Sequence, residues 1–182
     1  MLFNTEMVRS ILEGRKTVTR RVVKPQPPAG VTCLEQGAAP SQWRSPGKDV
    51  WVEIRTPYQP GDILWVRETW SRMETGQYLY KADNEKPVSF LGWRPSIHMP
   101  REAARIFLRV TGVRVERLQD ISYADVIAEG IPYGHAEHTK FRAVWESTLK
   151  PKDRPTYGWE ANPWVWALEF ERISKEEAER HG

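Results

Sequence analysis

Between Leu12 and Val23 the hydrophobic period of the chain changes from helical to extended, and no other feature restricts its possible folds as much. Met7, Val8, Ile11 and Leu12 recur at the spacing of one helical face. Gly14 stands where a helix C-cap glycine belongs, free to take a positive φ without a Cβ clash. The spacing therefore predicts a helix from about Thr5 to Glu13, followed at once by a strand. In the stretch Gly14-Arg15-Lys16-Thr17-Val18-Thr19-Arg20-Arg21, extended backbone puts Thr17, Thr19 and Arg21 on one face and Val18, Arg20 and Val22 on the other. Few structural needs call for a lysine, a threonine and two arginines packed so closely where a helix ends.

The rest of the chain supplies strands at irregular intervals. A segment from Lys24 to Pro60 is punctuated by proline and glycine and is expected to be an inserted loop, with Val50 to Ile54 as a possible strand. Asp62 to Trp70 is expected to form one strand buried on both faces, since four apolar residues follow the Pro60-Gly61-Asp62 turn. Gln77 to Ala82 predicts another strand, Asp83 to Met99 a second insertion, and Pro100 to Ala104 one helical turn. Arg105 to Leu118 alternates cleanly except at Gly112, where the phase shifts as at a bulge. Ser122 is a candidate N-cap for a helix from Tyr123 to Glu129 that Gly130 ends. Thr139 to Leu149 predicts a helix with Phe141, Val144, Trp145 and Leu149 on one side, Pro163 to Arg172 a final strand, and the charged tail Ser174 to Gly182 a frayed helix. Without strand-helix alternation, these elements predict a single α+β domain: a small mixed or antiparallel β-barrel with flanking helices and two insertions.

Composition narrows the function. The 182 residues suffice for one core, and no apolar run approaches the length of a membrane span. Arg9 and Glu13 interrupt the N-terminal region, so no signal segment is expected. Cys33 is the only cysteine, which excludes an internal disulfide and a cysteine-based metal site and fits a cytoplasmic location. His135 and His138 are one helical turn apart but have no third ligand nearby, so neither metal nor cofactor is expected. The net charge of +3 permits a nucleic-acid partner without requiring one. Nine tryptophans provide either core or stacking surface; Trp164 and Trp166 suit the core of the last strand.

Gly14-x-Lys16-x-x-Thr19-x-Arg21 resembles the signature of ASCH domains, a branch of the PUA-like β-barrel superfamily linked to RNA. The similarity extends to the helix before it, the Gly61-Asp62 turn, the Ala-Glu-Gly ending at Gly130 and the closing Glu169-Phe170-Glu171, and so spans most of the chain. The whole chain also looks like ASCH proteins found in phages. Small bacterial ASCH proteins of this signature remove the acetyl group from N(4)-acetylcytidine with a Lys, a Thr and a Glu. By resemblance these fall on Lys16, Thr19 and Glu129.

Amide hydrolysis needs a nucleophile, a base and a proton donor. The expectation is that Thr19 attacks, Lys16 acts as base with its pKa lowered by burial and neighbouring arginines, and Glu129 donates the proton; a Lys16-activated water is the variant. Arg20 and Arg21 are expected to tune Lys16 or hold a phosphate or ribose. Glu68 is a competing acid, Trp70 a stacking surface, and Arg94 with Trp93 and His98 a lid or an ordinary loop. The expected partner is a nucleoside or single-stranded RNA, and the competing functions are an RNA-binding module and a ribonuclease.

Overall fold

The computed structural model describes residues 1–28, 32–33, 41–44, 51–54, 56–84 and 92–180. Helix α1, Thr5–Leu12, begins at Asn4, whose side chain accepts from Met7 N, and ends at Glu13. Gly14 then takes φ +74°, and the chain enters β1, Val18–Val22. Two short strands, β2 (Thr32–Cys33) and β3 (Ser41–Arg44), precede β4 (Trp51–Ile54), and the three form an antiparallel sheet of their own. That sheet lies inside the segment expected to be loop, where only the last strand was foreseen; the other expectations for 24–60 fall mostly outside the described residues.

The expected single strand over Asp62 to Trp70 is divided in two. Strand β5, Ile63–Trp65, pairs with the later long strand, and its residues are only half-buried rather than sealed on both faces. At Arg67 the backbone changes partner: Arg67 N donates to Met1 O and Phe3 N to Arg67 O. Beyond that point the chain forms a separate hairpin of β6, Trp70–Arg72, and β7, Tyr78–Tyr80. Competition from the N-terminal segment for one edge is what ends the strand, and no local period reveals it. Of the second insertion, residues 85–91 lie outside the described residues and a single 3₁₀ turn occupies Ser96–His98, while the helical turn expected at Pro100 to Ala104 is a 3₁₀ turn over Arg101–Ala103.

Strand β8, Phe107–Arg117, carries the expected bulge, with its register shifting between Val110 and Gly112. Helix α2, Tyr123–Ala128, is capped by Ser122, whose hydroxyl accepts from Asp125 N. Helix α3, Glu137–Ser147, starts two residues earlier than its apolar period suggests. A short α4, Arg154–Tyr157, leads to β9, Trp164–Ile173, and α5, Lys175–Arg180, closes the chain. The main sheet is a curled antiparallel half-barrel in the order β1-β9-β8-β5. The architecture is therefore α+β.

Both faces of this sheet are covered, which explains why β9 is buried from Trp164 to Leu168. On one face Trp164, Trp166 and Leu168 pack with Val23, Val113 and Val115, and α1 adds Val8 and Ile11 against Leu108 and Phe170. Trp164 and Trp166 are thus core residues. On the other face α2 and α3 cover Val165 with Val126, Phe141 and Trp145. Among the described residues no helix is long and apolar enough to cross a membrane.

Candidate functional site

Two backbone features bring the N-terminal signature to the end of α2, more than a hundred residues away. After Gly14, Arg15 N and Lys16 N both donate to Ser10 O, turning the chain back along α1. Lys16 then bridges antiparallel to Glu129, and Thr17 N donates to Ala128 O. Gly130 makes this approach possible: it has φ +90°, and a Cβ there would stand 2.8 Å from Ser10 Cβ and 3.1 Å from Lys16 Cβ.

Lys16 is 2% exposed and Glu129 4%. The Lys16 ammonium donates to Val18 O at 2.8 Å, to Glu129 O at 2.9 Å and to Glu129 Oε2 at 2.5 Å, so all three of its protons are used. Burial drives the pKa of Lys16 below its ordinary value, Glu129 opposes the shift, and Arg21 and Arg20 add to it.

The other oxygen of Glu129, Oε1, accepts from Arg20 NH1 at 3.2 Å. Arg20 also meets Glu116 at 2.6 Å and Asp125 at 3.1 Å, and its side chain is wholly buried. Arg114 extends the network to Glu116, Asp125 and Glu169. This follows from strand alternation: Arg20 pairs with Ala167 on the face covered by α2, whereas Thr19 and Arg21 pair with Leu168 and Trp166 on the opposite face. Asp125 and Glu129, four residues apart, both reach that covered face. Arg20 thus spends its charge on carboxylates of the fold while adding to the lowering of the Lys16 pKa, one of the two roles expected of it.

A cavity of about 510 Å³ lies beside this cluster. Thr19, Arg20, Arg21 and Val22 all line it, as consecutive residues do where a cavity runs along the unpaired edge of a strand, and Glu129 adds an acid. Met1, Leu2, Phe3 and Met7 form one wall and Tyr58 contributes to the lining, while Phe141, Val144, Trp145, Thr148 and Leu149 of the α3 region form another. Thr19 Oγ1 accepts from Arg21 NH1 at 3.1 Å, and among the described residues its own proton has no acceptor. Arg21 lies over the Phe3 ring, 5.2 Å from the centroid.

The structure therefore brings Lys16, Thr19, Glu129, Arg20 and Arg21 together, with one change of arrangement. Lys16 does not line the cavity; it stands behind Glu129, and its amine makes no hydrogen bond to Thr19. The acid that would meet a ligand is Glu129.

Glu68, Trp70 and Arg94 are placed elsewhere and do not line the cavity. Glu68 receives both arms of Arg105 at 2.9 and 3.0 Å, and Arg105 in turn pairs with Asp83 and lies 3.9 Å from the Tyr80 ring centroid. Burial raises the pKa of Glu68 and the Arg105 hydrogen bonds oppose this. Trp70 is buried with Met99, Ala103 and Phe107, and the Arg94 guanidinium covers its ring at 5.2 Å. These residues leave with the hairpin because the chain abandons β8 after Val66, whose N–H still donates to Ile106 O. Trp93 and His98 do not line the cavity either.

The apolar walls were missed as a site because their signal is ambiguous. Phe141, Val144, Trp145 and Leu149 make a helical stripe that suits a core equally well. His138 Nε2 lies 3.4 Å from Ile121 O, and among the described residues no group of three potential metal ligands occurs. Compared with models of known families, with curated proteins and with solved structures, the chain matches none.

Proposed function

We propose that this chain is a PUA-like β-barrel protein of the ASCH type, with a pocket for a nucleoside-like ligand. Its particular activity on this reading is hydrolysis of the N(4)-acetyl amide of acetylated cytidine. The observation that carries the reading is the convergence on one cavity of Thr19, with an uncommitted hydroxyl proton, and of Glu129, bonded to a buried lysine. Thr19 Oγ1 attacks the acetyl carbonyl while its proton passes to Glu129 through a water in the cavity that both line, and the departing amine takes a proton back from the Lys16–Glu129 pair. Water entering from the cavity then releases acetate from the acyl-threonine by the same route.

The alternatives, a non-catalytic RNA-binding module and a ribonuclease, call for several cations free to meet phosphates. Lys16 and Arg20 spend their charge on carboxylates, which leaves Arg21 alone for that role among the three and favours chemistry on an uncharged amide.

The test is to incubate the protein with N(4)-acetylcytidine and with single-stranded RNA and to follow both by mass spectrometry. Deacetylation is expected, reduced about 10²–10⁴-fold by Thr19→Ala and by Glu129→Gln. Intact acetylcytidine alongside shortened RNA would replace the reading with the ribonuclease one.

A further inference from the structure

Of the two arginines that line the cavity, Arg20 is neutralised by three carboxylates, whereas Arg21 forms no ion pair with any described residue. A guanidinium in an apolar cavity is costly unless its donors are used. Arg21 NH1 donates to Thr19 Oγ1 at 3.1 Å and to Arg20 O at 3.0 Å, and NH2 donates to Leu2 O at 3.2 Å. These contacts and the Phe3 ring beneath fix the plane of the fork. Among the described residues the donors left over, one on NH2 and the one on Nε, meet no acceptor. The side chain is thus a positive charge held rigidly beside the hydroxyl that would attack, with part of its hydrogen-bonding capacity in reserve.

We infer that Arg21 is a catalytic residue, its guanidinium receiving the negative charge that develops on the carbonyl oxygen of a bound amide. The inference rests on the amidohydrolase reading above, in which neither Lys16 nor Glu129 stabilises that oxygen. When Thr19 Oγ1 bonds to the carbonyl carbon, the C=O π pair moves onto oxygen, which becomes an oxyanion bonded to the spare Arg21 donors. The pair returns as the C–N bond breaks, and the departing nitrogen takes its proton from the Lys16–Glu129 pair. Charge formed opposite a donor already in position costs no reorganisation, which is why such donors contribute more to rate than to substrate binding. The apolar surroundings strengthen the interaction further.

The test uses the whole chain and N(4)-acetylcytidine, with folding of each variant checked by circular dichroism and thermal unfolding. Arg21→Met is expected to lower kcat about 10²–10³-fold with KM nearly unchanged, the size found for loss of one oxyanion donor. Added guanidinium ion is expected to restore part of the kcat of Arg21→Ala in a saturable way, and to do nothing for Thr19→Ala. Arg21→Gln, which keeps donors without charge, serves where the methionine variant does not fold, and is expected to lose kcat at least tenfold. Active wild type with kcat preserved in the variants, or with a loss confined to KM, overturns the catalytic role while leaving the amidohydrolase reading intact. Wild type inert toward the amide overturns both.

Discussion

At the scale of single residues, the decisive fact is that Lys16 is both buried and fully hydrogen-bonded. Its position after a helix stop was legible in the Gly14 signal, but its environment was not, because a lysine on a short strand is ordinarily solvated. Removing its charge leaves Glu129 with only Arg20, so Lys16→Met is expected to destabilise the fold by about 3 kcal/mol, the lower end for breaking a buried pair. The effect depends on pH with a definite sign. Because the folded-state pKa of Lys16 lies below 10.5, the unfolded chain holds a proton that the folded chain has released between those two values. Stability from this group therefore rises with pH across the window just below 10.5 and levels off above it. Urea unfolding of wild type and Lys16→Met across that window should show the gap in stability growing in favour of wild type. A constant gap would mean that the amine titrates as a solvated one.

At the scale of elements, the end of α2 determines whether a site exists. Ser122 as cap, Asp125 three residues on and Gly130 as terminator were all legible, since capping is a property of a few neighbouring residues. What they accomplish together was not, for nothing local says that the helix ends against Ser10 and Lys16. Gly130→Ala places a side chain at φ +90° where a Cβ would meet Ser10 Cβ at 2.8 Å. Backbone strain of about 1–3 kcal/mol is expected from the conformation alone, with the clash in addition. A lowered melting temperature together with loss of deacetylation would follow, as Glu129 is carried away from the cavity. Retention of both would show that Lys16 and Glu129 find each other without this close approach. The division of Asp62 to Trp70 into β5 and β6 teaches the converse: a strong apolar run was overridden because the N-terminal segment competes for the backbone of Arg67.

At the scale of the whole molecule, the cavity belongs to no single element. The segment before α1, the free edge of β1, the end of α2 and one side of α3 meet around it. A larger side chain at Val144 would occupy the space while leaving Lys16 and Glu129 themselves unaltered. Val144→Trp is expected to abolish turnover of the acetylated nucleoside while leaving the unfolding midpoint within a few degrees of wild type. Unchanged turnover would place the reaction outside this cavity.

Periodicity, capping residues and the bulge at Gly112 determined most of the elements and the α+β class from the amino-acid sequence alone, because each depends on neighbours along the chain. The alternation that separates Arg20 from Thr19 and Arg21 was also present there. Only the tertiary structure decided which carboxylates neutralise Arg20, that Lys16 stands behind Glu129 rather than beside Thr19, and that Glu68 and Trp70 turn away with the hairpin. Burial and pairing of charge depend on groups brought together from distant parts of the chain, and no local pattern encodes who those partners are.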